Sequence, residues 1–265
     1  MSFSAELEFA NGLADMADEI SMHYWRRRDT QVRSKPDGTP VTQADEEIER
    51  ALRKEIAAAF PEHGVLGEEE GESEGVSGAR WILDPIDGTK NYSWGIPLWG
   101  TLIALEVAGG PGGLHPSEGE IVAGVVSCPA VGERYSAGRR LGATRNGETI
   151  RVSDVDDLSK ARVAFTSVRS FIDQDRLDQF LSYVASSKHN RGIGDCYGHM
   201  LVASGSMDAM VEPRLSAWDL GPLIVIVEEA GGRFTDVEGN NTIYGQSVVT
   251  SNGRIHEAVL GVFRA

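Results

Sequence analysis

WILDPIDGTKNY, residues 81–92, runs an apolar, strand-like segment, Trp81-Ile82-Leu83, into Asp84, and sets a second aspartate, Asp87, one turn later. Two anions placed where burial begins require a partner of opposite charge. Pro85 stiffens the turn between them, and Gly88-Thr89 can open a helix whose first amides are free, a ready site for an anion. Carboxylates that hold hard cations, beside amides that hold phosphate, are the two halves of metal-assisted phosphoryl transfer.

Other acidic positions at loops and element ends join this pair: Asp45, Glu68 directly after Gly67, and Asp219 directly after Trp218. Each also has a local reading. Asp45 suits a capping acid for a helix begun by Thr42, Asp87-Gly88 an ordinary turn, and Asp219 a carboxylate favoured by a helix dipole.

The whole chain sets limits on partners. Its 265 residues make either one large α/β unit or two closely packed lobes. Forty acidic against 25 basic residues give a formal charge of −15, which repels nucleic acid and anionic membrane, so a phosphate-bearing ligand needs metal cations as intermediaries. The acidic first thirty residues lack the pattern of a secretory signal, and no apolar run reaches membrane-spanning length, so the expected location is the cytoplasm. Cys128 and Cys196 make no disulfide framework and are expected as thiols.

Apolar spacing of three and four from Leu7 to Tyr24 predicts a helix over 4–27, and Ile48, Leu52 and Ile56 stripe a second one ending at Phe60-Pro61. Strands are expected near 64–67, 80–84 and 98–107. GGPGGLHPSEGE, 109–120, reads as a hairpin connection, and Asn146-Gly147 as a two-residue hairpin turn. Beyond Ser153 the expectation is a strand over 162–166, helix 173–186, a strand near 190, helix 195–204, strand 208–212, helix 219–231 and strands around 233 and 248. The division is then an antiparallel-rich α+β lobe over 1–153 and an α/β lobe over 154–265, together one catalytic unit.

Residues 81–92 resemble the W-x-x-D-P-x-D-G-T-x-N-F signature of the inositol monophosphatase family, with Tyr92 standing for Phe. WDLGPLIVIVEEAGG, 218–232, resembles that family's second signature, with Gly221 in place of alanine. VLGEE and PVTQAD fall where the family keeps further acidic ligands. The resemblance covers essentially the whole chain and implies a layered α-β-α-β-α sandwich of mixed α+β and α/β character. It also implies a homodimer and a phosphomonoesterase using two or three Mg²⁺ per site. By residue, it assigns metal ligation to Glu68, Asp84, Asp87, Asp219 and the Ile86 carbonyl, and phosphate binding to the Gly88 and Thr89 amides. Thr89 and Asp45, with Glu68, would serve the attacking water.

GDCYGHMLVASG, with Val211-Glu212-Pro213 and the following Trp218-Asp219-Leu220, resembles the histidinol-phosphatase branch of the family. Asp195 adds a negative charge where the alcohol part of the substrate would lie, and Glu212 matches the family's substrate-contacting glutamate. An ammonium on the substrate suits both. Asp195 equally suits an N-cap of the 195–204 helix. Inositol phosphates and 3′-nucleotides are the rival substrates, and a partner of transcription machinery is the rival role, disfavoured by charge. CPAVGER, 128–134, fits the Cys-x5-Arg skeleton of thiolate phosphatases, but Pro129 lacks an amide donor and Glu133 would repel phosphate, so Cys128 reads as core. The six histidines show no metal-ligand spacing, and His199 reads as a satisfied structural group.

Overall fold

A computed structural model describes residues 3–27, 32–34, 40–108 and 119–264. The chain opens with α1 (Ser4–Arg27), a short hairpin of β1 (Val32–Ser34) and β2 (Pro40–Thr42), and α2 (Gln43–Ala59). Thr42 caps α2, its amide donating to Asp45 Oδ2 at 2.8 Å, and the helix stops at Phe60 ahead of Pro61. There follow β3 (Gly64–Gly67), β4 (Gly71–Ser73), β5 (Ala79–Asp87), α3 (Thr89–Trp94), β6 (Gly100–Ala108), β7 (Gly119–Cys128), β8 (Glu133–Gly138), β9 (Gly142–Arg145) and β10 (Glu148–Thr149). These strands form an eight-stranded sheet in the order β10-β9-β8-β7-β6-β5-β3-β4, antiparallel except for β3 beside β5. Asn146 and Gly147 join β9 to β10 with φ of 51° and 81°, the paired left-handed backbone of a type I′ turn.

The second half contains β11 (Arg162–Phe165), α4 (Val168–Asp173), α5 (Leu177–Ser186), β12 (His189–Gly192), α6 (Asp195–Ala203), β13 (Ala209–Glu212), α7 (Ala217–Glu229), β14 (Arg233–Thr235), β15 (Val248–Ser251) and α8 (His256–Phe263). Its five strands run β12-β11-β13-β15-β14, parallel through β12, β11 and β13, then antiparallel.

Burial patterns order the layers. Trp81 and Leu83 share a core with Ala10, Leu13, Ile48 and Leu52 of α1 and α2. Ile82, on the opposite face of β5, joins Met200 of α6 and Leu223 of α7. Phe171, Phe180, Val259 and Phe263 cover the far face of the second sheet. The result is α1 and α2, the large sheet, α6 and α7, the small sheet, then α4, α5 and α8: an α-β-α-β-α sandwich.

The helices depart from the sequence reading at three places. The helix expected over 173–186 starts later, as α5 at Leu177, and an unanticipated helix, α4, precedes it; Asp175, with φ of 53°, lies between them, and no glycine or proline marks the start of α5. The helix expected from 219 begins at Ala217, so that Asp219 lies inside its first turn. Helix α8 had no counterpart in the reading. The proposed 109–120 connection lies outside the described residues over 109–118, although the flanking strands do pair antiparallel, Ala108 with Gly119.

Helix α7 approaches the large sheet closely because β7 offers no side chain at Gly124. A Cβ there would stand 2.7 Å from Val225 Cγ1 and 2.8 Å from Pro222 Cα. Gly124→Ala is therefore expected to destabilise the fold by about 1–3 kcal/mol. Gly12→Ala, in open space on α1, should instead stabilise by about 0.5–1 kcal/mol. Thermal melts of the two variants check the contrast, and equal melting temperatures would contradict it.

Candidate active site

A bulge in β5 decides where the two aspartates point. Regular alternation would send Asp84 toward α7, with Ile82, and Asp87 to the opposite face. Pairing with β6 instead runs Asp84 to Leu102 and resumes at Asp87 with Gly100, three steps against two. The extra residue drops the Ile86 side chain into the core beneath α1 and α2 and returns Asp87 to the side of Asp84. Pro85, with no amide to pair, sits in the break, and its carbonyl accepts from Thr101 Oγ1 at 2.8 Å.

Neighbouring elements bring in the other acids. Parallel pairing sets Gly67 beside Leu83, so Glu68 emerges next to Asp84, with its amide on the Leu83 carbonyl at 3.2 Å. Buried Glu49 of α2 fixes the turn that follows: it accepts from the Glu69 and Glu70 amides at 2.7 and 3.0 Å. Gly67 leaves room for that carboxylate, since a Cβ would fall 2.1 Å from Glu49 Oε1. Asp219 reaches the cluster from the first turn of α7, where its Oδ2 accepts from the Ser216 amide at 2.7 Å. Asp87 Oδ2 accepts from the Cys196 amide at 2.5 Å and so caps α6 from another element.

Oxygens of Asp84, Asp87 and Asp219 lie within 4.8 Å of one another. Burial, then the charges of Glu68, Asp87 and Asp219, pushes the Asp84 carboxyl well up; burial, then Asp195 and Asp219, does the same to Asp87. Asp219 is raised to about 7 chiefly by burial, against the Ser216 amide bond. Among the described residues no lysine or arginine forms an ion pair with these three, and Asp84 Oδ1 is buried without a hydrogen-bond partner. A hard, oxygen-only donor set of converging, unneutralised carboxylates fits divalent cations of the Mg²⁺ type.

The cluster forms one end of a cavity of about 600 Å³, which Glu68, Ile86, Gly88, Thr89, Asp195 and Glu212 also line. Thr89 Oγ1 donates to the Ile86 carbonyl at 3.0 Å, leaving its lone pairs for the cavity. Gly88 takes φ of 81°, and a Cβ on it would approach Asp195 Oδ2 to 3.2 Å. Asp195 is not the cap of α6. That position belongs to Gly194, while Asp195 itself has φ of 56° and accepts from Asn91 Nδ2 at 2.9 Å.

Asp45 is fully buried and is not among the residues that line the cavity. Its Oδ2 is held by Thr42 Oγ1 at 2.5 Å, its Oδ1 is buried without a partner, and burial lifts its pKa to about 7 against the Thr42 bonds. Trp94 is exposed at the cavity rim, whereas Trp99 packs against Trp25 and Tyr92 in the core. Cys128 is buried and Arg134 is tied to Asp15 and Asp18 at 2.6 Å, so the Cys-x5-Arg segment forms no phosphate cradle. The sequence reading missed Glu49, whose one signal was the glycine before Glu68. It also missed the surroundings of His199, to which Thr250 contributes from β15.

The inositol monophosphatase family model matches residues 4–265, and the chain belongs to that family of phosphatases. It is 41% identical to the histidinol-phosphatase of Streptomyces coelicolor, over 97% of this chain and 96% of that one. The histidinol-phosphatase of Chlorobaculum parvum is 42% identical over 93% and 92%. Among solved structures, the extragenic suppressor protein suhB of Bartonella henselae superposes with a TM-score of 0.88 at 30% identity, covering 98% of this chain and 99% of that one.

Crowded carboxylates make stability depend on cations and on pH. In chelator-treated protein, Mg²⁺ at a hundred times its Kd is expected to stabilise the fold by about 2.7 kcal/mol. Asp219 titrates at about 7 in the folded state, above the ordinary carboxylate range, so metal-free protein loses stability as pH rises from that range to about 7. The gain from Mg²⁺ runs the other way, largest above pH about 7 and fading as protons compete below it. Melting curves across pH, with and without Mg²⁺, measure both, and a melting temperature indifferent to the cation would count against the site.

Proposed function

We propose that this phosphatase hydrolyses L-histidinol phosphate, using Mg²⁺ held by Glu68, Asp84, Asp87, Asp219 and the Ile86 carbonyl. The observation that carries the substrate choice is the presence of two further carboxylates, Asp195 and Glu212, on the same cavity as the metal-type cluster. Glu212 is 3% exposed, and burial pushes its carboxyl well up. A phosphomonoester with an ammonium gives such a pair a counter-charge, which an inositol phosphate lacks.

The chemistry that divalent cations supply at a carboxylate cluster is Lewis-acid polarisation of the phosphoryl group and a lowered pKa for water. The chain's own residues bind and aim. Gly88 and Thr89 offer backbone amides to the phosphate, and Lys90 and Arg214 add positive charge to the cavity lining. Thr89 Oγ1, committed as donor to Ile86, accepts from water and so orients it for in-line attack on phosphorus. The resemblance assigns Asp45, with Thr89, to orienting that water; Asp45 itself is buried and held by Thr42. Asp195 and Glu212 take the ammonium and set the alcohol end, with phosphate at the carboxylate cluster. The reading includes a homodimer, a cytoplasmic role in histidine biosynthesis, and lobes of 1–153 and 154–265 contributing jointly to one site.

Two comparisons of variants test the reading. With water as nucleophile, Cys128→Ser keeps most activity, while Asp87→Asn loses at least about 100-fold in kcat; the reverse ranking would restore a thiolate. For substrate choice, Asp195→Asn removes one charge and should lower kcat/KM for histidinol phosphate roughly 10- to 150-fold, about 1.5–3 kcal/mol. Turnover of a neutral alcohol's phosphate should hardly change. Equal loss on both substrates, or none, would remove the ammonium contact from the account.

A further inference from the structure

His199 lies one helical turn after Asp195 on α6 and is 1% exposed. Its Nδ1 is 2.7 Å from Thr250 Oγ1 on β15, and its Nε2 faces Glu212 Oε1 on β13 at 3.4 Å. Nε2 and Oε1 are both buried, each is without a hydrogen-bond partner, and their 3.4 Å approach is a facing contact longer than a formed hydrogen bond. We infer that His199 is a positioning residue for Glu212, presenting its Nε2–H to the carboxylate that receives the substrate's ammonium. This rests on the amine reading above.

The tautomer follows from what each neighbour can offer. Burial holds the ring neutral, its pKa lowered to about 3 although Asp195 pulls the other way, so it carries one N–H. Thr250 either donates or accepts at Nδ1, and Glu212 Oε1, in the ionised state that receives an ammonium, only accepts. A proton on Nδ1 would leave two lone pairs facing each other at 3.4 Å. A proton on Nε2 serves both contacts, with the Thr250 hydroxyl donating to Nδ1. The Thr166 hydroxyl and the Asp195 amide also face Glu212, so the carboxylate is held from α6 and from the loop after β11. One turn of α6 thus carries a direct ammonium contact, Asp195, and the support for the other.

The test compares kinetics on histidinol phosphate and on the same ester lacking its amino group. His199→Gln keeps an N–H at the reach of Nε2, whereas His199→Leu keeps apolar volume and offers none. The expected result is a rise of about 10-fold in KM for the amine ester in His199→Leu, with kcat and the deamino ester within about twofold of wild type. His199→Gln should restore the KM, and Thr250→Val should fall between. If His199→Leu does not fold, His199→Asn reads the same contrast, since its amide reaches only the Nδ1 position. A wild-type preference for the amine that persists in His199→Leu or His199→Asn overturns this inference alone, as does equal loss on both esters. No preference in the wild type overturns the substrate reading and this inference with it.

Discussion

Like-charged carboxylates held together in a buried pocket are the constraint around which this fold is arranged. Asp84, Asp87 and Asp219 would separate if their backbones allowed it. Helix ends prevent that. Asp219 is bound within the first turn of its own helix, and Asp87 caps α6 across the layer boundary through the Cys196 amide. Asp45 is bound in the same manner at the start of α2. In each case one oxygen of the carboxylate is taken by a helix N-terminus, whose partial positive charge favours the anion. The capping bonds fix the direction in which the second oxygen points.

The same device explains why local and functional readings of these residues do not compete. Asp45 and Asp219 are both capping acids, Asp45 on Thr42 and Asp219 on Ser216, and the helix of Asp219 also delivers it to the carboxylate cluster. Closeness then has to come from packing. Gly67 admits Glu49 beneath the Glu68 turn, Gly88 lets Asp195 approach, and Gly124 lets α7 settle on the large sheet. A side chain at any of these positions would push a carboxylate-bearing element outward.

Legibility in the sequence followed the range of the physics involved. Short-range signals were clear: the α1 stripe, the Thr42 cap, the Asn146-Gly147 turn and the Asp-Pro-x-Asp segment each depend on neighbours a few residues away. The turn at Asp175 between α4 and α5 carries no glycine or proline, so the sequence placed the start of α5 four residues early and gave no sign of α4. Glu49 lies off the Ile48, Leu52 and Ile56 stripe, and nothing near it in sequence marks it as buried. Its burial depends on a turn some twenty positions later. Asp195 read as a substrate contact or, equally locally, as a cap, and its sequence neighbours show neither its left-handed backbone nor its bond to Asn91 of α3. The pairing of His199 with Glu212 and Thr250 joins three elements, and no local pattern encodes it.

The central claim is that the carboxylates of β5 and α7 converge in order to hold divalent cations. Diffraction from crystals grown with Mn²⁺ in place of Mg²⁺, collected for anomalous signal, tests it most directly. The account predicts anomalous density among Asp84, Asp87 and Asp219, with Glu68 at its edge. Crystals saturated with Mn²⁺ that show no such density there would contradict it.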